Sequence, residues 1–345
     1  MRTLSSMCVA AGFLLAAVPC QGAQAVHGHY QVAKTYKPGG EGGWDYLTVD
    51  PDAHRLYFGR STRVQVLDVD SGQLVGEISD TPGIHGVALA PDLGRGYTSN
   101  GRDSSVTVFD LKTLAVVTKI HIDGRNPDAI LYEPVSHRVF TMNAGSGTAT
   151  AIDATSGAVV GNVVLGGRPE FAVADGRGRV FVNLEDSSAV VSFDAKTLAL
   201  GPRWPLAPGE GPSGLALDRE NRRLFSVCGN EEMIVLDANT GRVVAALPIG
   251  KRADGAAFDP LTKLAFSSNG EGTLTVVRED SPEKFSVVDT VATRVGARTL
   301  ALDPKTHRIY TATASFGEAP PPTAEHPHPR PPMLPDSFVI LVLER

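Results

Sequence analysis

GVALAPDLGRGYTSNGRDSSVTVFDLKTLAVVTKIHI, residues 86–122, contains one complete copy of the unit from which this chain is built. An apolar run ends at Pro91, a turn follows, and a short strand opens on Arg95 with an aromatic at Tyr97. After a polar loop, an alternating stretch ends at Asp110, and beyond a second turn comes a valine-rich segment. Period-two alternation with β-branched and aromatic residues, punctuated by turn residues, specifies four short strands rather than helices. Outward from this copy, the first strand recurs as YLTVD from Tyr46, AILYEP from Ala129, FAVAD from Phe171, GLALD from Gly214, GAAFDP from Gly255 and TLALDP from Thr299. The second strand recurs as RLYFG, RVFTM, RVFVN, RLFSV, KLAFS and RIYTA.

The residues just before the seven first strands are Asp45, His85, Asp128, Glu170, Ser213, Asp254 and Arg298, spaced 40 to 44 apart. That period fits one four-stranded blade per repeat, so the sequence predicts an all-β fold, a single seven-bladed β-propeller. The seventh repeat stops at its third strand, Phe338 to Glu344, while a spare strand, His29 to Tyr36, precedes the first. Pairing the two completes the last blade and removes the sheet edges an open array would expose. The propeller is therefore assigned to 26–345, with a proline-rich insertion at 316–336.

Residues 1–25 read as a secretory signal: Arg2 precedes an apolar run from Met7 to Val18, and Ala23-Gln24-Ala25 supplies a cleavage pattern. Pro19 stands where lipidation of Cys20 would require a small residue, so an unanchored periplasmic or secreted protein is expected, with the mature chain starting at Val26. No later run reaches the roughly 18 to 20 apolar residues of a spanning helix, and a monomer without a membrane span is expected. With Cys8 and Cys20 in the signal, Cys228 stands alone. It reads as a small buried apolar residue rather than a nucleophile. A net charge of −6 disfavours broad electrostatic binding to nucleic acid.

The turn-and-strand blocks VLDVDSGQLVGEI, VFDLKTLAVVTKI, AIDATSGAVVGNV, SFDAKTLAL and VLDANTGRVVAAL, with PDAILYEP and PSGLALD, resemble the YVTN-repeat propellers, in particular the YncE-like family of exported bacterial proteins. The likeness covers essentially the whole mature chain. It implies a propeller that binds or scaffolds, with single-stranded DNA binding among the family's activities, while related propellers include lactonases and lyases. Blade six departs from the pattern, with VVREDSPEKFSVVDTV carrying Pro282 and charges in the turn.

In such a ring, first-strand starts and second-strand ends share one face. The seven anchors thus line the mouth of a central funnel, approached by Arg60, Asn100, Asn143, Cys228 and Asn269 from the second strands. Structure repeats there while residue type varies among Asp, His, Glu, Ser and Arg, which points to a binding site, although wet turn residues satisfying the backbone would look similar. The expected site comprises Trp44, Asp45, His85, Asp128, Glu170, Asp254 and Arg298 with Asn100, Asn143 and Asn269. It would take a small or extended ligand, with Arg298 orienting an anionic group and Trp44 either offering a stacking surface or packing the blade joint. An oxygen-rich set of this kind suits Ca²⁺ or Mg²⁺ better than a soft metal. His54, His137 and His307 fall in turns on the opposite face. The insertion SFGEAPPPTAEHPHPRPPMLPDS hangs over the mouth, where His326 and His328 would either complete a metal site with His85 or simply ride on the rim. No phosphate-cradling glycine loop, nucleophile elbow or zinc-protease helix is present, leaving a binding protein as the leading reading and a metal-assisted hydrolase, lactonase or lyase as its rival.

Overall fold

The computed structural model describes residues 28–321 and 331–345. The signal, its cleavage point and the histidines His326 and His328 lie outside the described residues. Within them, 28 strands form seven four-stranded antiparallel sheets arranged as the blades of a propeller. Blade 2 is typical: Ile84–Ala90, Arg95–Asn100, Ser105–Asp110 and Val116–His121, each paired with the next in register. Closure follows the expected route. Gln31–Tyr36 pairs antiparallel with Val339–Glu344, so the chain's first described strand is the outer strand of blade 7.

The apolar core is divided into seven clusters, one for each joint between neighbouring blades. The joint between blades 1 and 7 shows the logic: Leu47, Leu56 and Phe58 pack against Tyr310, Phe338 and Ile340, all nearly or completely buried. Alternate residues of each middle strand face the two adjoining joints, so both sides of a sheet read as hydrophobic. Turns are held by acidic caps at repeated positions. Asp110 Oδ1 accepts from Lys112 N, Thr113 N and Thr113 Oγ1, and Asp194 repeats this arrangement on Lys196 and Thr197. These hydrogen bonds hold both carboxyls below the ordinary aspartate range.

Blade 6 replaces that capped turn with the longest hairpin, Thr273–Ser281 and Lys284–Ala292. Its tip is clamped to blade 5 by Glu283, which receives Arg223 at 2.7 Å and Arg242 at 2.8 Å. His54, His137 and His307 occupy the left-handed position of the first turn, with φ of 55°, 52° and 60°. Each faces an aspartate, as in His307 Nδ1 to Asp259 Oδ2 at 2.7 Å, and all three lie on the face away from the anchors.

Candidate funnel-mouth site

The seven anchors stand where the innermost strands begin, and the structure sorts them into two hydrogen-bonded groups with Glu170 between. In the first, His85 Nδ1 lies 2.7 Å from Asp45 Oδ2 and 3.5 Å from Asp128 Oδ1. In the second, Asp254 accepts from Ser213 Oγ and from Arg298 Nη1, both at 2.6 Å. Asp128 is 7 % exposed, and its Oδ1 has no hydrogen-bond donor. Glu170 Oε2 is likewise buried without a partner.

Burial and crowding of like charges set the electrostatics. Burial first, then the charges of Asp128, Glu185 and Asp254, push Glu170 up to about 8. Asp128 rises to about 6, again chiefly from burial, with His85 pulling the other way. Asp254 is also raised by burial, against the opposing pull of Arg298 and Ser213. For His85, burial favours the neutral ring, but the hydrogen bond its ring donates to Asp45 and the charge of Asp128 outweigh it and raise its pKa. At neutral pH the mouth therefore holds the Arg298–Asp254 pair and a Glu170 largely protonated.

Below the ring the axial channel is blocked. Tyr46, in blade 1, meets Phe171, in blade 4, with ring centroids 5.1 Å apart. Blades 1 and 4 are not neighbours, so this contact spans the axis. Glycine stands at the equivalent position of three other blades. A Cβ on Gly86 would lie 3.3 Å from Tyr46 Cδ2, while one on Gly214 would lie 2.5 Å from Asp254 O and Ala256 N, and one on Gly255 2.9 Å from Leu300 N, each in the next blade. The funnel is thus a blind cup with an aromatic floor. Neither Tyr46 nor Phe171 was among the expected site residues, although the sequence places two bulky aromatics among glycines at one repeat position.

Asn100, Asn143 and Asn269 do not line the cup. All three are fully buried at the ends of their second strands, and their carboxamides are spent within the blade. Asn143 Oδ1 accepts from Thr141 Oγ1, and Nδ2 donates to Thr148 and Thr150 Oγ1. Asn100 makes the same three bonds to Thr98, Ser105 and Thr107, and Asn269 to Ser267, Thr273 and Thr275. They are hairpin locks. The pattern hydroxyl-x-Asn followed by two hydroxyls on the next strand was the available signal.

Trp44 packs the blade joint, the second of its two expected roles. Its ring packs 5.0 Å from Phe338 and 6.3 Å from Phe316, which ties the root of the insertion to the joint between blades 1 and 7. Phe316 bridges to Met333 at that root. What Trp44 contributes to the mouth is part of the wall of an open cavity of about 230 Å³, shared with Asp45, His85, Arg102 and Arg298. Arg60 and Cys228 are fully buried too. Arg60 lies 3.9 Å over the Phe338 ring and donates to the carbonyls of Gly40 and Glu41. Burial pushes the Cys228 thiol up to about 12, which makes it inert.

No family model and no curated protein matches the chain. Among solved structures it is similar to Kuenenia stuttgartiensis hydrazine synthase, with a TM-score of 0.70 and 17% identity over 79% of this chain and 93% of that one. It is similar also to the RRP9 WD40 repeats, at 0.76 and 10% identity over 91% and 98%. A chain of the mitotic checkpoint complex matches at 0.74 and 13% identity over 99% of both. At such identities the likeness concerns the fold alone. The chain is a seven-bladed β-propeller.

Proposed function

We propose that this propeller is a binding protein that holds a small ligand rich in hydrogen-bond donors or positive charge in the cup at its funnel mouth. One observation carries the reading: Asp128 Oδ1 and Glu170 Oε2 are buried acceptors without donors. Buried polar atoms in folded proteins are almost always paired, and an orphan costs about 1–3 kcal/mol. Glu170 makes no side-chain hydrogen bond that caps a turn or bridges a joint, and across its joint Asp128 Oδ1 meets His85 only at 3.5 Å. A ligand donor reaching both would remove that cost. The aromatic floor makes the cup blind, which suits a small molecule better than a threaded chain.

Kinship with the exported YncE-like propellers belongs to the same proposal, supported by the five turn-and-strand blocks at one period. Export to the periplasm or medium is supported by the Arg2, Met7–Val18 and Ala23-Gln24-Ala25 pattern. A thermal-shift screen of a metabolite library, repeated on Asp128→Asn and Glu170→Gln, tests the binding reading. Stabilising compounds should lose their effect in both variants. Compounds that stabilise all three proteins equally would move the site away from the mouth.

A further inference from the structure

Resting on the funnel-mouth reading, we propose that Asp45, His85 and Asp128 form a site for a divalent d-block cation such as Zn²⁺, Mn²⁺ or Co²⁺. The three residues open the innermost strands of blades 1, 2 and 3, and one ligand atom from each lies within 4.8 Å of the others. Two of the three edges are 2.7 Å and 3.5 Å. A tetrahedral sphere with metal–ligand distances of about 2.0–2.2 Å has edges of roughly 3.3–3.6 Å. The His85–Asp128 edge already has that length, and the His85–Asp45 edge needs to open by less than about 1 Å when the metal replaces the shared proton.

A cluster of acids alone would not make a site. The independent observation is Asp128, more than nine-tenths buried, with Oδ1 lacking any donor and facing His85 Nδ1. The frame is also rigid. Ser99 Oγ donates to the backbone carbonyl of Asp128, and Tyr46 N donates to that of His85 at 3.2 Å. The imidazole is seated against Gly101, where a Cβ would lie 2.7 Å from His85 Nε2. Its other nitrogen, Nδ1, is thereby aimed at the two carboxylates.

The donor set selects the metal. Calcium takes about 6–8 oxygen ligands, and magnesium about six in an octahedron. Asn100, Asn143 and Asn269, which would have supplied neutral oxygens, are locked inside their blades. One imidazole and two carboxylates instead match the harder N/O sites of zinc, manganese and cobalt. Three protein ligands leave a position open. Asp45 and His85 also line the cavity walled by Arg102 and Arg298, where guanidinium charge would favour an oxyanion on the metal.

The test uses the chain stripped by chelator and dialysed, titrated calorimetrically with ZnCl₂, MnCl₂ and CaCl₂ and by visible absorbance with CoCl₂. One equivalent of Zn²⁺ or Mn²⁺ should bind more tightly than Ca²⁺, and Co²⁺ should develop d–d bands that shift on adding acetate or phosphate. His85→Gln and Asp128→Asn should each weaken binding by ~100-fold or more, with the metal-free unfolding temperature of Asp128→Asn at or above that of the wild type. Should either variant fail to fold, the Co²⁺ spectrum of the intact chain decides the matter through its imidazole coordination. Absence of a saturable equivalent, a Ca²⁺ preference, retention of affinity in His85→Gln, or a spectrum indifferent to both anions overturns the proposal. Screen compounds that still depend on Asp128 and Glu170 after such a result would leave the binding reading standing and remove only the metal.

Discussion

Tyr46 of blade 1 and Phe171 of blade 4 touch across the propeller axis, their ring centroids 5.1 Å apart and inclined at 57°. A tilted aromatic pair adds to the area it buries, and here it also seals the cup beneath Asp128 and Glu170. Tyr46→Ala should therefore lower stability in urea by about 2–3 kcal/mol, less than a fully enclosed aromatic would. Tyr46→Phe should cost under about 1 kcal/mol, because the hydroxyl lies a long 3.5 Å from Glu170 O. Equal losses in the two variants would mean that the hydroxyl rather than the ring closes the floor.

The mouth makes stability depend on pH in a defined direction. Glu170 in the folded protein titrates near 8, against 4.5 for the ordinary carboxyl. Below pH 4.5 both states are protonated and burial carries no ionisation penalty. Between 4.5 and about 8 the unfolded chain releases a proton that the folded one keeps, so stability falls as pH rises. Asp128 acts in the same sense up to about 6. In chelator-treated protein, Glu170→Gln should gain on the order of 3 kcal/mol over the wild type at pH 8 relative to its difference at pH 4.5. Unfolding temperatures at the two pH values measure this, and a pH-independent difference would refute the buried, protonated state.

The repeat was legible in the sequence because strands and turns are local: the apolar alternation, the turn residues and the aspartates that end the strands all lie within one copy. Ring closure was legible too, since a spare strand and a missing one can be matched. What failed was reading a side chain's direction from its strand end. Asn100, Asn143 and Asn269 share the mouth's face of the ring, yet each side chain turns into its own hairpin, where three hydroxyls receive it. Trp44 could not be placed from its neighbours, because Phe316 and Phe338 reach it only after the whole ring has closed. The anchors differ from both. Their position is set by the innermost strand, which is why six of the expected contacts do surround one cup.

Asn143→Ala separates a lock from a ligand. The truncation leaves Thr141, Thr148 and Thr150 hydroxyls without their partner inside the blade. A loss of about 1–3 kcal/mol is expected from unfolding in denaturant. Binding of any compound that depends on Glu170 should be unaffected in the folded fraction. A fully stable Asn143→Ala that loses binding would return this residue to the site.

The last prediction concerns closure. Gln31–Tyr36 contributes the fourth strand of blade 7, pairing from Gln31 opposite Glu344 to Tyr36 opposite Ile340. Its burial is modest, since only one side of an outer strand packs, but its ends are anchored. Tyr36 Oη donates to Val69 O of blade 1 at 2.8 Å, and Tyr30 Oη donates to His307 O of blade 7 at 2.9 Å while its ring meets Phe266 of blade 6 edge-on at 5.3 Å. The segment thus ties three blades together as well as covering the edge of Val339–Glu344. Deleting residues 26–38 should remove these ties and expose a long apolar edge, VILVLE, able to pair with another chain. The shortened protein should unfold several degrees lower and elute in part as dimers or larger species by size-exclusion chromatography. Adding the deleted segment back as a synthetic peptide should restore the monomer, because the missing strand is supplied in trans. A truncated chain that melts and elutes like the full one would show that blade 7 closes on three strands.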